Sequence, residues 1–182
     1  MMVYVFLGNG FEEMEALSAC DILRRGGVEV QTLSVSGQPV LGAHGIPVLA
    51  DLPAAEASRE NVEMVVLPGG WGGVQAIGAS EEAMALTKWA WDEGKYVAAI
   101  CAGPTALAKL HITDGKKATC YPGLENLMGS AEMQPGAEVV QDGRLITGEA
   151  PGAAVAFGLK LLEVLKCSDE AARVAADLVL HR

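Results

Sequence analysis

The sequence predicts an α/β protein organised around a mostly parallel β-sheet, and three observations carry that prediction. Short apolar, β-rich runs alternate with longer segments of helical period, the pattern of βα units. The first run, "VYVFL" (Val3 to Leu7), is apolar at every position, as a strand covered on both faces requires. Apolar runs also end in abrupt turns, "LGNG", "LPGG" and "AICAG". With 182 residues, 51% of them apolar, the chain can bury one substantial core and reads as a single domain over residues 1–182.

The elements follow in order. After the first strand, "FEEMEALSACDILRRGG" carries Met14, Leu17, Ile22 and Leu23 at helical spacing, with acids in its first turn, Arg24 and Arg25 in its last, and Gly26-Gly27 as a stop. "VEVQTLSV" alternates and predicts a second strand, and the Gly- and Pro-punctuated "SGQPVLGAHGIPVLAD" predicts a hairpin or excursion. "VEMVVLPGG" is a third core strand ending in a glycine turn, with two short helical pieces from about Gly73 to Glu93, and "YVAAI" is a fourth strand. Beyond "GPTALAKL" come a short strand near "KATCY", a hairpin "AEVVQDGRLIT" turning at Asp142-Gly143, and helices within "PGAAVAFGLKLLEVL" and "SDEAARVAADLVL".

Composition excludes several classes of function. A formal charge of -10 disfavours nucleic-acid and anionic-membrane surfaces, which need clustered Lys and Arg. No apolar run approaches the roughly 18 to 20 residues of a membrane span, and "MMVYVFLGNG" lacks the basic start and small-residue cleavage site of a signal peptide. Cys20, Cys101, Cys120 and Cys167 are scattered without a CxxC pair, so neither a disulfide framework nor a metal site is signalled. A reducing cytoplasm fits, and no cofactor is implied.

Cys101 follows "VAAI" directly and precedes "AGPTALAKL", which places it on a sharp strand-to-helix turn at the carboxyl edge of the sheet, where open α/β folds gather ligands. Free amides and the helix dipole there would lower the thiol below its usual pKa of about 8.5. The alternative is that Cys101 is a small buried hydrophobe, as most free cysteines are. The amides of Gly70 and Ala102 would form an anion-binding pair for an oxyanion or an oxidised sulfur, although Pro68-Gly69-Gly70 alone needs no explanation beyond a tight turn. Glu12 and Glu13 are accounted for as first-turn acids. Glu15 lies within the apolar-periodic part and would face the sulfur, raised in pKa and sharing one proton with it.

"FEEMEAL", "DILRRGGVEV", "VVLPGG", "AAICAGPTALAK" and "APG" stand in the order and spacing of the ThiJ/PfpI superfamily, and the chain most resembles the branch of the parkinsonism-associated protein deglycase and its bacterial relatives. The resemblance runs nearly end to end. It implies a flavodoxin-like three-layer α/β/α sandwich with a nucleophile elbow, a homodimer, Cys101 as the elbow cysteine, Glu15 as the family's glutamate, and Gly70 and Ala102 as oxyanion-type amides. Two activities of different class are implied. One is enzymatic, acting on a small reactive carbonyl or glycated adduct as a glutathione-independent glyoxalase or deglycase; the other is redox sensing with chaperone-like protection, in which Cys101 becomes a sulfinate.

Departures from the family pattern narrow these expectations. Ala102 stands where the protease-like branch has a histidine, and neither His111 nor His181 supplies the His-x-Glu pair of an amidotransferase. "PGGWGG" lacks the Lys-Ser/Thr of a phosphate loop, against a kinase-like role in thiamine biosynthesis. Tyr121-Pro122 replaces a His-Pro pair of the branch, which leaves Glu15 to carry most proton transfer. His44, in the excursion, is a candidate ligand for an anionic group. Cys120 is a candidate disulfide partner of Cys101, and Trp71 a candidate cap over the site. Cys20 and Cys167 are read as packing residues, and Trp89 and Trp91 as the buried side of a helix.

Overall fold

A computed structural model describes residues 1–180, so His181 lies outside the described residues. In chain order the elements are β1 (Met2–Leu7), α1 (Glu13–Arg25), β2 (Glu29–Ser34), β3 (Val40–Leu41), β4 (Pro47–Val48), β5 (Leu52–Pro53), β6 (Val62–Leu67), α2 (Trp71–Ala79), α3 (Glu81–Asp92), β7 (Tyr96–Ile100), α4 (Pro104–Lys109), β8 (Lys117–Ala118), β9 (Glu132–Met133), β10 (Val139–Asp142), β11 (Leu145–Gly148), α5 (Ala154–Leu165) and α6 (Ser168–Asp177).

The main sheet has the order β10-β11-β7-β6-β1-β2-β5, parallel throughout except for the β10–β11 hairpin. Every residue of β1 is buried, because the strand sits at the centre of the sheet between β2 and β6 with helices flanking it. α1 packs on α5 and α5 on α6, whereas α2 packs on α3 and α4. Gly158 of α5 allows the close approach to Ile22 of α1, where a Cβ would lie 2.8 Å from its Cδ1.

Connections from β1 run to β2 on one side and, through the crossover, to β6 and β7 on the other. The chain therefore reverses its direction of winding between β1 and β6, and open α/β sheets bind ligands outside the carboxyl ends of the strands at such a switch point. The excursion after β2 is an antiparallel β3–β4 hairpin, tied to the start of α1 by a bridge between Phe11 and Gly42. The strand near "KATCY" shrinks to two residues and pairs with β9 outside the main sheet. Two packing expectations change. Cys167 is exposed at the N-cap of α6, and Trp89 and Trp91 are only half-buried, each beneath an arginine, Arg59 and Arg144.

Candidate active site

Three strand ends converge on one sulfur. β7 ends at Ile100, and Cys101 turns the chain with φ 64, a left-handed conformation uncommon for a side-chain-bearing residue. Its N–H donates to Gly148 O at 3.0 Å, which fixes the elbow to the end of β11, and its carbonyl accepts from Tyr121 N at 2.9 Å. The following helix, α4, is only six residues long.

Glu15 reaches this sulfur from α1. It is fully buried, and its Oε2 accepts from Gly69 N at 2.6 Å, while Gly69 O accepts from Glu12 N at 3.0 Å. Gly69 is thus stitched to α1 in both directions. A Cβ on Gly69 would lie 2.5 Å from Glu15 Oε2 and 2.9 Å from Cys101 Sγ, so only glycine fits between carboxyl and thiol. Sequence reasoning treated Gly69 as part of a tight turn and missed this role. The doubled glycine of "PGG" was the signal, since Gly70 alone, with φ 78, accounts for the turn.

Burial pushes the Glu15 carboxyl up to about 7, with the charge of Glu12 adding to the rise and hydrogen bonds from Gly69 and the Cys101 thiol restraining it. The other oxygen, Oε1, is sealed from solvent without a hydrogen-bond partner, an arrangement that favours a proton on the carboxyl. Burial likewise pushes the Cys101 thiol up to about 12, reinforced by the charge and hydrogen bond of Glu15; the amides of Ala102 and Gly70 pull it only part of the way back. This corrects the expectation of a lowered thiol pKa. Two amides and one short helix do not outweigh desolvation and an adjacent carboxylate, so the pair carries at most one negative charge.

The remaining candidates divide. Tyr121 is anchored through its backbone to Cys101 and is 47% exposed, and Trp71, directly after Gly70, is 51% exposed. Both stand open to solvent beside the elbow. Cys120 is buried with Ala118 and Met128, its thiol raised to about 11 by burial and then by Glu125 and Glu149. It and Cys101 are both free thiols. Cys20 is buried, and burial raises its thiol to about 12.

His44 turns toward α1. Its Nδ1 lies 2.9 Å from Glu13 Oε2 and 3.5 Å from Glu12 Oε2, and its backbone N–H donates to Glu13 Oε1 at 2.8 Å. A ring nitrogen facing two carboxylates must be the donor, so the positive charge expected to meet an anionic ligand is already paired within the protein. Glu12, Glu13 and His44 bring potential metal-ligand atoms within 4.8 Å of one another, a grouping that sequence reasoning did not single out. Glu13 had seemed a simple first-turn acid; its partner is 31 residues distant and invisible in local pattern.

A parallel α/β sandwich with a cysteine at a left-handed elbow, a buried glutamate against it and two loop amides facing the sulfur defines a class of elbow-cysteine proteins. Residues 1–164 match the DJ-1/PfpI family, and the chain belongs to that family. Protein dj-1beta of Drosophila melanogaster is 37% identical over 97% of this chain and 95% of its own length, and the crystal structure of Drosophila melanogaster DJ-1beta superposes with a TM-score of 0.94, at 36% identity over 100% of this chain and 98% of that one. Deglycase PH1704 of Pyrococcus horikoshii is 32% identical over 91% of this chain and 100% of that protein. The structure of oxidized Toxoplasma gondii DJ-1 superposes with a TM-score of 0.93, at 32% identity over 100% of this chain and 99% of that one. No helix among the described residues is long and apolar enough to cross a membrane.

Proposed function

We propose that the protein destroys small reactive carbonyls, free or as glycation adducts, in the manner of a glutathione-independent glyoxalase or deglycase, with Cys101 as nucleophile and Glu15 as the acid–base group. The observation that carries this reading is the buried Glu15 carboxyl, raised to about 7 and set against the Cys101 thiol. A base with a pKa near the working pH is the efficient one. Ionised Glu15 takes the thiol proton as sulfur adds to the aldehyde carbon of methylglyoxal, so negative charge moves from carboxylate to substrate oxygen without two anions coexisting. The Gly70 and Ala102 amides receive that oxyanion. Glu15 passes the thiol proton to the oxyanion and is again a carboxylate. It then removes the proton on the former aldehyde carbon and returns it to the neighbouring carbon while the hydroxyl proton moves to the former ketone oxygen, which leaves a lactoyl thioester. Water cleaves the thioester to lactate and regenerates the thiol.

Deglycase PH1704 supports the enzymatic class by its name and its full-length similarity. The test is lactate formation from methylglyoxal without glutathione. Turnover is expected in the wild type and a fall of at least about 100-fold in both Cys101→Ser and Glu15→Gln; turnover that survives either substitution removes the assigned roles.

A second reading is favoured by the same two amides and by the oxidized state of the Toxoplasma gondii relative. Two equivalents of peroxide would convert the thiol to a sulfinate with release of two waters, and protonated Glu15 would donate a hydrogen bond to it. This sensor predicts no lactate, and a mass gain of two oxygens confined to Cys101.

The proposal includes a homodimer in a reducing cytoplasm. Met14 and Leu17 on α1, and Leu41, Ile46 and Leu49 in and around the neighbouring hairpin, are large exposed apolar side chains of the kind a second copy covers, and the cysteines are free.

A further inference from the structure

Most large apolar side chains of the described residues are packed into the core, yet two aromatics tied to the elbow through the chain, Trp71 and Tyr121, are about half exposed. Trp71 follows the residue whose amide faces the sulfur, and Tyr121 hangs from the Cys101 carbonyl by its own N–H at 2.9 Å. Neither ring has a packing role that explains its position. Two carboxylates lie close to these residues in the chain or through backbone bonds. Glu149 directly follows Gly148, whose carbonyl holds the Cys101 N–H, and is half-buried with its own N–H bonded to Glu138 O at 2.9 Å. Glu125 is held by Gly123 N at 2.9 Å on the Tyr121 side. Glu125 and Glu149 both raise the thiol of Cys120, the residue before Tyr121, and Glu12 acts on Glu15. His44, which would have offset them, is paired with Glu12 and Glu13.

We propose that the mouth of the Cys101 site is a cation-selecting vestibule, in which Trp71 and Tyr121 stack on a guanidinium or quaternary ammonium group and Glu149 and Glu125 attract it, while molecules bearing carboxylate or phosphate are repelled. Tryptophan is the strongest π-face for a cation, and clustered acids in a cleft raise the local concentration of cations and the rate of their encounter. As a statement about substrates, that they carry the carbonyl on a cationic group, this rests on the reading of Cys101 as a nucleophile toward carbonyls. The charge preference itself needs only a reactive sulfur.

The experiment therefore uses chemistry independent of turnover. Three methanethiosulfonate reagents are compared, carrying trimethylammonioethyl, sulfonatoethyl and methyl groups. In each, the Cys101 sulfur attacks the sulfenyl sulfur, a mixed disulfide forms, methanesulfinate leaves with the bonding electron pair, and the thiol proton passes to Glu15 or solvent. Rates at the Cys101 peptide are read by mass spectrometry and referred to a blocked free cysteine in the same buffer. The cation-to-anion rate ratio at Cys101 is expected to exceed that of the reference by at least about tenfold at low ionic strength. It should collapse toward the reference near 1 M salt, where the Debye length is about 3 Å. Glu149→Gln lowers the ratio, and Trp71→Ala slows the cationic reagent more than the methyl one, with Trp71→Phe largely restoring it. A ratio equal to the reference, or one indifferent to both Trp71→Ala and Glu149→Gln, overturns the vestibule. Charge selection without lactate formation would remove only the enzymatic reading; lactate formation without charge selection would remove only this one.

Discussion

Glu13 and Glu15 stand two residues apart on α1, both buried, and their surroundings drive them in opposite directions. Burial pushes Glu13 up, but hydrogen bonds from the His44 ring and from the His44 and Ile46 amides outweigh it and hold its carboxyl below the ordinary range. Burial pushes Glu15 up to about 7, because one amide and one thiol are all that face it. The helix dipole favours an anion at both positions. The difference has two sources that act together: Glu15 lies the deeper of the two, and fewer donors are arranged around its carboxyl to hold the charge. The hairpin makes Glu13 a permanent anion that fastens the β3–β4 loop; the glycine loop leaves Glu15 poised between two protonation states.

The strongest challenge to that contrast is a matched pair of substitutions. Glu15→Gln is expected to cut lactate formation from methylglyoxal by at least about 100-fold, whereas Glu13→Gln, which removes charge from a fastening residue, changes it by less than about tenfold. Equal losses would erase the distinction between a reacting and a fastening carboxylate.

Stability against pH sharpens it further. The native carboxyl of Glu15 titrates at about 7, above its ordinary 4.5, so between these values the folded state binds the extra proton. Stability then falls as pH rises through that window and levels off above it. Glu15→Gln removes the cost of the buried charge. Urea unfolding should find the variant more stable than wild type by up to about 3 kcal/mol at pH 8, with the gap closing by pH 4. A variant less stable at pH 8 than at pH 4, relative to wild type, would show that the carboxylate is satisfied after all.

Gly69→Ala is expected to act next. The added methyl falls between Glu15 Oε2 and Cys101 Sγ, and forcing them apart should cost about 1 to 3 kcal/mol of stability by overpacking. It should also move the titration of Glu15, because the Gly69 N–H that restrains it is displaced. An unchanged pH profile of Cys101 alkylation in a folded Gly69→Ala would mean that the loop does not set the spacing of the pair.

How much of this the sequence disclosed follows the same physical division. β1 and β7 were legible because a strand covered on both faces must be apolar throughout, and α1 because its charged ends and glycine stop are local signals. Cys101 was legible as a strand-to-helix turn, and Glu15 as an acid inside an apolar-periodic stretch. What stayed hidden depends on distance in the fold. The pairing of Glu13 with His44 joins residues 31 apart, and Gly69 is defined by what lies across from it. The two-residue β5 is too short for any periodicity. The direction of the thiol shift was misjudged for a related reason, since local amides and a dipole could be read from the turn, but the depth of burial could not.

The smallest effect comes from the fastening side of the comparison. His44→Ala removes the ring that faces Glu13 and Glu12 and leaves the backbone bonds from residues 44 and 46 in place. The pKa of His44 is raised above 6.5, first by the Glu13 hydrogen bond and then by the charges of Glu12 and Glu13, so its contribution is complete below that value and is lost as pH rises through the raised one. Glu13, lowered from 4.5, contributes fully above that value and loses its share as pH falls through its folded pKa. The link is therefore strongest between about 4.5 and 6.5, which is where His44→Ala should do most harm. The effect is local. Hydrogen exchange at the Gly42 amide, bonded to Ile46 O at 3.0 Å, should accelerate in the variant near pH 5.5 and approach the wild-type rate, after correction for intrinsic exchange, by about pH 9. Acceleration that is the same at both pH values would mean that the imidazole holds the hairpin by packing, and the contrast between a charged fastener and a proton-sharing pair would then rest on Glu15 alone.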